Sequence, residues 1–105
     1  MADFQIVLST CGDRQTAERI AHRLIEQHLA ACVNILPGVQ SVYRWQGAVE
    51  SAAEVLMLIK TKAALIQEVQ STIASLHSYE VPEFLVLPIS SGSEAYMAWL
   101  ETSLD

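Results

Sequence analysis

The side chains with chemical potential in this sequence fall into stretches far apart in the chain. One is Ser9-Thr10-Cys11; the other runs His77-Ser78-Tyr79-Glu80 and on through Pro82-Glu83. Thiolate and imidazole suit copper and zinc, so Cys11, His77 and Glu83 are candidate ligands for a transition metal. The plainer account is a polar loop in which His77 sits favourably at the C-terminal end of a helix dipole. No sequence-close pair of the Cys-x-x-Cys or His-x-x-x-His kind reinforces the metal reading. Lys60, Lys62 and Arg14 stand near the starts of expected helices and could contact a small anion, although solvated charges are the simpler account. Cys32 reads as a small buried apolar residue, and His22 and His28 as surface positions. No nucleophile–base–acid set, phosphate loop or dinucleotide fingerprint stands out, so the chain reads as a binding or regulatory protein and not an enzyme.

These residues must be positioned by the elements between them. From Asp3 to Thr10, Phe4, Ile6 and Leu8 alternate with Gln5, Val7 and Ser9, which predicts a strand. Asp13 is placed to cap a helix whose apolar stripe is Ala17, Ile20, Ala21, Leu24, Ile25 and Leu29. Two long apolar segments follow, from Ala31 to Trp45 and from Glu54 to Lys60, joined at Arg44-Trp45-Gln46-Gly47 as a hairpin, with Gly47 supplying the freedom of a tight turn, and broken once at Pro37-Gly38. Thr61 is expected to cap a second helix with the stripe Leu65, Ile66, Val69, Ile73 and Leu76, ending near His77. Glu83 to Leu87 predicts a fourth strand closed by Pro88. Ser91 and Glu94 have the spacing of a capping box for a C-terminal helix.

The order β-α-β-β-α-β with a terminal helix is the ferredoxin-like split β-α-β arrangement, an α+β sandwich. Right-handed crossovers give strand order 4-1-3-2 with the helices on one face. The top of the first strand, the hairpin toward Tyr43 and Trp45, the loop from His77 to Glu80, and Pro82-Glu83 then converge on one edge. Cys32 starts its strand at the opposite end, too far from Cys11 for a disulfide.

At about 3.3 Å per residue the segment from Ala31 to Trp45 spans roughly 50 Å. A compact domain of this size is only about 35 Å across. The hairpin tip is therefore expected to project, leaving Val42, Tyr43 and Trp45 to be covered by a partner subunit.

The 105 residues fit one domain spanning 1–105, half apolar, with a net charge of -6. Such a balance disfavours nucleic acid and anionic membrane as partners. No apolar run reaches the length of a membrane span, so no membrane insertion is expected, and the reading is of a cytoplasmic protein.

Four segments, taken together, resemble the CutA divalent-cation tolerance proteins. They are Leu29-Ala30-Ala31-Cys32-Val33-Asn34-Ile35, Val42-Tyr43-Arg44-Trp45-Gln46-Gly47, Ile59-Lys60-Thr61 and His77-Ser78-Tyr79-Glu80-Val81-Pro82-Glu83. The resemblance implies a homotrimer with strand pairing continued between subunits. It further implies a role in tolerance of divalent metals, notably copper, and a likeness to PII-type signalling trimers. On that basis His77, Glu83 and Cys11 are expected as weak ligands for copper or another divalent cation, and Lys60, Tyr79, Glu80 and Trp45 as the lining of a cleft between subunits. The alternative is a PII-like module for a small anionic metabolite or partner protein. The sequence departs from the family where His-Pro-Tyr is replaced by His77-Ser78-Tyr79, and where some members carry a cysteine at Ser9 and a histidine at Leu76.

Overall fold

Alternation in the first strand decides which side of the sheet is covered. The computed structural model describes residues 3–105. In β1 (Phe4–Cys11), Val7, Ser9 and Cys11 are fully buried, while Ile6 and Leu8 on the other face are only partly covered. The more apolar alternating set thus faces away from the helices, leaving the better-buried side to a valine, a serine and a thiol.

Helix α1 (Arg14–Glu26) starts where Asp13 accepts hydrogen bonds from the Thr16 backbone N–H at 2.7 Å and the Thr16 hydroxyl at 3.1 Å. This satisfies a first-turn donor that the helix itself cannot pair. Its apolar stripe, Ala17, Ile20 and Leu24, packs on the covered face of the sheet.

The hairpin consists of β2 (Cys32–Trp45) and β3 (Ala48–Lys62). Gln46 and Gly47 turn it at φ of 50° and 82°, the two left-handed positions of a type I′ turn. The ladder is continuous except between Leu36 and Val39, where β2 carries one residue more than β3. Gly38, at φ 78°, takes the backbone conformation this bulge needs, and Pro37 has no N–H to leave unpaired. The molecule measures 44 × 25 × 23 Å, its length set by this ribbon.

Strand β3 continues through Thr61, which does not cap a helix as its sequence position predicts. Thr61 is fully buried, and its hydroxyl donates a 2.7 Å hydrogen bond to the Leu29 carbonyl. A single 3-10 turn over Ala63–Leu65 leads into α2 (Ile66–Leu76), with Val69 and Ile73 in the core. A short β4 (Leu85–Pro88) and α3 (Glu94–Ser103) complete the chain. The cap of α3 is Ser93, which accepts from the Tyr96 N–H at 3.2 Å, and not Ser91.

The strands run β2-β3-β1-β4, all neighbours antiparallel. This is the ferredoxin-like α+β arrangement expected from the element order. Cross-strand partners share a face. Pairing of Leu8 with Leu58 and Leu85, of Ile6 with Leu87, and of Leu56 with Leu36 therefore gathers six leucines and an isoleucine on the helix-free side. Helix α3 covers only its lower end, where Phe4, Leu100 and Leu104 form a second small core. Leu85 remains 54% exposed and Leu87 48%.

Candidate functional site

The segment between α2 and β4 is pinned to the top of β1 at two points. His77 lies against the Thr10 carbonyl, its Nε2 at 2.6 Å, and its Nδ1 receives the Tyr79 backbone N–H at 3.0 Å. These contacts fix a neutral ring with the proton on Nε2, because a carbonyl only accepts and the Tyr79 amide only donates. Further on, Ser9 Oγ donates to the Glu83 carbonyl at 2.7 Å. Ser9 is fully buried. Ser9 therefore serves to hold the loop.

Between these anchors the loop lays Tyr79 across the end of β1. Its hydroxyl donates a 2.8 Å hydrogen bond to Oε2 of Glu54 on β3. Gly12 makes the crossing possible, since a Cβ there would come within 3.2 Å of the Tyr79 oxygen. The residue is 38% exposed, with its hydroxyl directed inward at Glu54. Burial, with the Glu54 hydrogen bond and charge adding to it, pushes the Tyr79 phenol up to about 12.

Around this contact lies a cavity of about 380 Å³, within the size range of small-molecule sites. Its floor is Thr10 and Glu54, one wall is Tyr43 and Trp45 of the hairpin, and the other is the loop from Tyr79 to Glu83. Pairing of Val39 with Glu54 and of Tyr43 with Glu50 sets both aromatic residues on the face that carries Glu54. That face is also the leucine-rich, helix-free one, because Glu54 lies two residues from Leu56.

Each of the four segments expected to converge, Ser9 to Cys11, the hairpin toward Trp45, His77 to Glu80 and Pro82-Glu83, sends residues to one edge, but Cys11 and His77 stay outside the cavity lining. Tyr43, Trp45, Tyr79, Glu80 and Glu83 line one cavity. Lys60 does not join them. It pairs with Ile6 and Cys32, and its ammonium bonds Asn34 with Cys32 Sγ at 3.8 Å. Six residues along β3 from Glu54, it lies roughly 20 Å away. Arg14 is paired with Glu18 at 3.0 Å, and none of the three cations on which an anion site was expected, Lys60, Lys62 and Arg14, lines the cavity. Val42 lies opposite Ser51 near the tip and is exposed.

Cys11 is fully buried on the helix side, its thiol directed at the Asp13 carbonyl at 3.5 Å. Burial pushes this thiol up, which holds it in the neutral form. Cys32 is half-buried on the helix-free face instead of being sealed in the core, and both cysteines are free. Among the described residues, no three histidine, cysteine, aspartate or glutamate side chains gather as a ligating group.

The residue that sequence reasoning missed is Glu54. It begins an apolar strand and reads there as a boundary charge. Yet it is 9% exposed, in a chain whose other acidic side chains are mostly solvated. Its cross-strand position opposite the bulge was the available signal, since bulges gather beside functional sites.

Comparison with known proteins agrees with this architecture. A family model for the CutA1 divalent ion tolerance protein matches residues 5–103. The divalent-cation tolerance protein CutA of Pectobacterium atrosepticum is 42% identical over 104 residues, covering 99% of this chain and 94% of its own. The chloroplastic protein CutA of Arabidopsis thaliana is 41% identical over 98 residues, covering 93% of this chain and 54% of its own. The chain therefore spans about half the length of that plant relative and nearly all of the bacterial one. The crystal structure of CutA from Xylella fastidiosa superposes with a TM-score of 0.95 at 39% identity, covering 99% of this chain and 100% of that one. The periplasmic divalent cation tolerance protein CutA of Archaeoglobus fulgidus gives 0.94 at 35% identity, covering 97% and 99%.

Proposed function

Since this chain belongs to the CutA1 divalent ion tolerance family, we propose that it is a trimeric binding or regulatory protein of divalent-cation homeostasis, without catalytic activity of its own. The observation that carries this reading is the shared orientation of the cavity and the uncovered leucine face. A neighbouring copy seated on Leu8, Leu58, Leu85 and Leu87 would lie beside Tyr43 and Trp45 and close the cavity from its open side. The apolar area left on that face is the kind that marks an interface. The edge strands β2 and β4 offer unpaired ladder groups for pairing between copies.

The ion, with copper as the first to test, is assigned to His77 and Glu83, with Cys11 as a third candidate. The donor set fits only with rearrangement. His77 has to give up one of its two hydrogen bonds, and Cys11 its proton. Uptake on these residues is therefore coupled to proton release and weakened at low pH. A bound divalent ion would supply positive charge to a cavity already edged by Glu80 and Glu83. A cytoplasmic site of action belongs to the same proposal, because the free, half-buried Cys32 suits a reducing compartment.

Native mass spectrometry of the metal-free protein, followed by graded copper and zinc, tests the assignment. A trimer taking up one ion per subunit, with uptake lost in His77→Ala/Glu83→Ala, is the expected result. A monomer overturns the assembly, and a trimer with only scattered adducts overturns the ion site.

A further inference from the structure

The cavity bears features that a divalent ion does not use. Glu54 is nine-tenths buried and lies in its floor, with one carboxylate oxygen taking the Tyr79 hydroxyl. Among the described residues nothing donates to its other oxygen, and no lysine or arginine lines the cavity. Its second oxygen opens into the cavity as a free acceptor, and one neutral phenol does not neutralise the carboxylate, so a charged donor entering the cavity would find a partner there. Beside it stand Tyr43 and Trp45, aromatic side chains of the kind that attract cations through the ring quadrupole. The remaining lining from Val81 to Pro82 is apolar. Glu80 and Glu83 at the rim make the potential there negative.

We infer that this cavity binds a small organic ammonium: a primary amine that donates to Glu54 and lays an apolar body against Tyr43 and Trp45. The combination separates this ligand class from its competitors. An anion would meet three carboxylates and no cation. A bare metal ion would leave the aromatic walls unused. A neutral apolar molecule would leave the second oxygen of Glu54 without a donor. A primary ammonium satisfies all three surfaces, and a cavity of about 380 Å³ holds one carrying a single ring or a short chain. The inference goes beyond the divalent-ion reading and stands separately from it. Glu54, Tyr43 and Trp45 are not among the residues assigned to the ion.

Titration calorimetry on the intact metal-free protein at neutral pH tests it, with benzylamine as probe and benzyl alcohol as its neutral counterpart of the same shape. Benzylamine is expected to bind saturably, and benzyl alcohol at least tenfold more weakly, the loss of a charge-assisted hydrogen bond. Glu54→Gln keeps an acceptor for Tyr79 but removes the charge, and should weaken benzylamine by roughly the same factor. No heat with benzylamine overturns the inference. Equal affinity for the two probes does so as well, since the cavity would then be merely apolar. Should Glu54→Gln fail to fold, the wild-type comparison of the two probes decides alone. Copper uptake retained with no benzylamine binding would discard this inference and leave the ion reading standing.

Discussion

Tyr79 and Glu54, 25 residues apart, meet at 2.8 Å across the end of β1, where the small Gly12 that follows the strand lies beside the phenol. The contact ties the loop after α2 to the second strand of the hairpin, so floor and wall of the cavity are one hydrogen-bonded unit. Its phenol is pushed up to about 12, which gives the contact an optical signature. In an absorbance titration of the wild-type protein, one tyrosine should ionise near that value. Tyr79→Phe should remove this step, and Glu54→Gln should move it toward the ordinary phenol value of about 10.

The same shift fixes a pH dependence. The folded-state value lies above the unfolded one, so folding favours the protonated phenol. Its contribution to stability is complete below about pH 10 and is lost as pH rises through about 12. Denaturant midpoints measured across that window should fall more steeply for the wild type than for Tyr79→Phe. Parallel curves would show that the contact does not bear on stability.

Thr61→Val keeps the shape of a fully buried side chain but strands the Leu29 carbonyl that its hydroxyl satisfies at 2.7 Å. A loss of about 1–3 kcal/mol in unfolding free energy is expected from urea denaturation. A neutral result would mean that another donor reaches the carbonyl.

The hairpin turn stores strain at Gln46, a non-glycine residue at φ 50°. Gln46→Asn suits the first left-handed position of a type I′ turn and should stabilise by up to about 1 kcal/mol. Gly47→Ala, at φ 82°, should destabilise by about 1 kcal/mol. Thermal melts of the two variants should shift in opposite directions.

Leu87→Asp puts a charge at the centre of the uncovered face while leaving the helix-side core untouched. Under the trimer proposal, native mass spectrometry should find dissociated subunits, and circular dichroism should find the native fold. Trp45→Ala should weaken assembly in the same assay, because its ring stands 43% exposed at the ribbon tip. Wild-type mass for both variants would mean that subunits associate elsewhere.

The fold was legible in the sequence wherever periodicity and turn chemistry agreed. Asp13 as a cap, Gly47 in the hairpin turn and Pro37-Gly38 as a break in the ribbon all stand where local residue preferences put them, while Arg44 and Trp45, read with the junction, belong to β2. Thr61 and Ser91 were read as caps because their side chains commonly serve that role. The structure uses Thr61 inside the sheet, where a carbonyl from the turn after α1 needed a donor that no local pattern announces. Lys60 was assigned to a cleft between subunits by the family resemblance, and within this chain its strand carries it a long way from Glu54. Glu54 itself was hidden because its burial depends on Tyr79 arriving from the far side of β1, a long-range contact.

The surplus residue between Leu36 and Val39 has a consequence for the cavity. The turn fixes Trp45 opposite Ala48, and the body of the sheet fixes Leu36 opposite Leu56, so both registers would survive deletion of Gly38. The faces would keep their residues, and Tyr43 and Trp45 would still look the same way. What the extra residue adds is curvature, since a bulge bends its strand and sharpens the local twist. It acts as a wedge at the foot of the ribbon, setting the angle at which the aromatic wall leans over Glu54. The aperture of the cavity is thus adjustable by one residue that touches none of its lining.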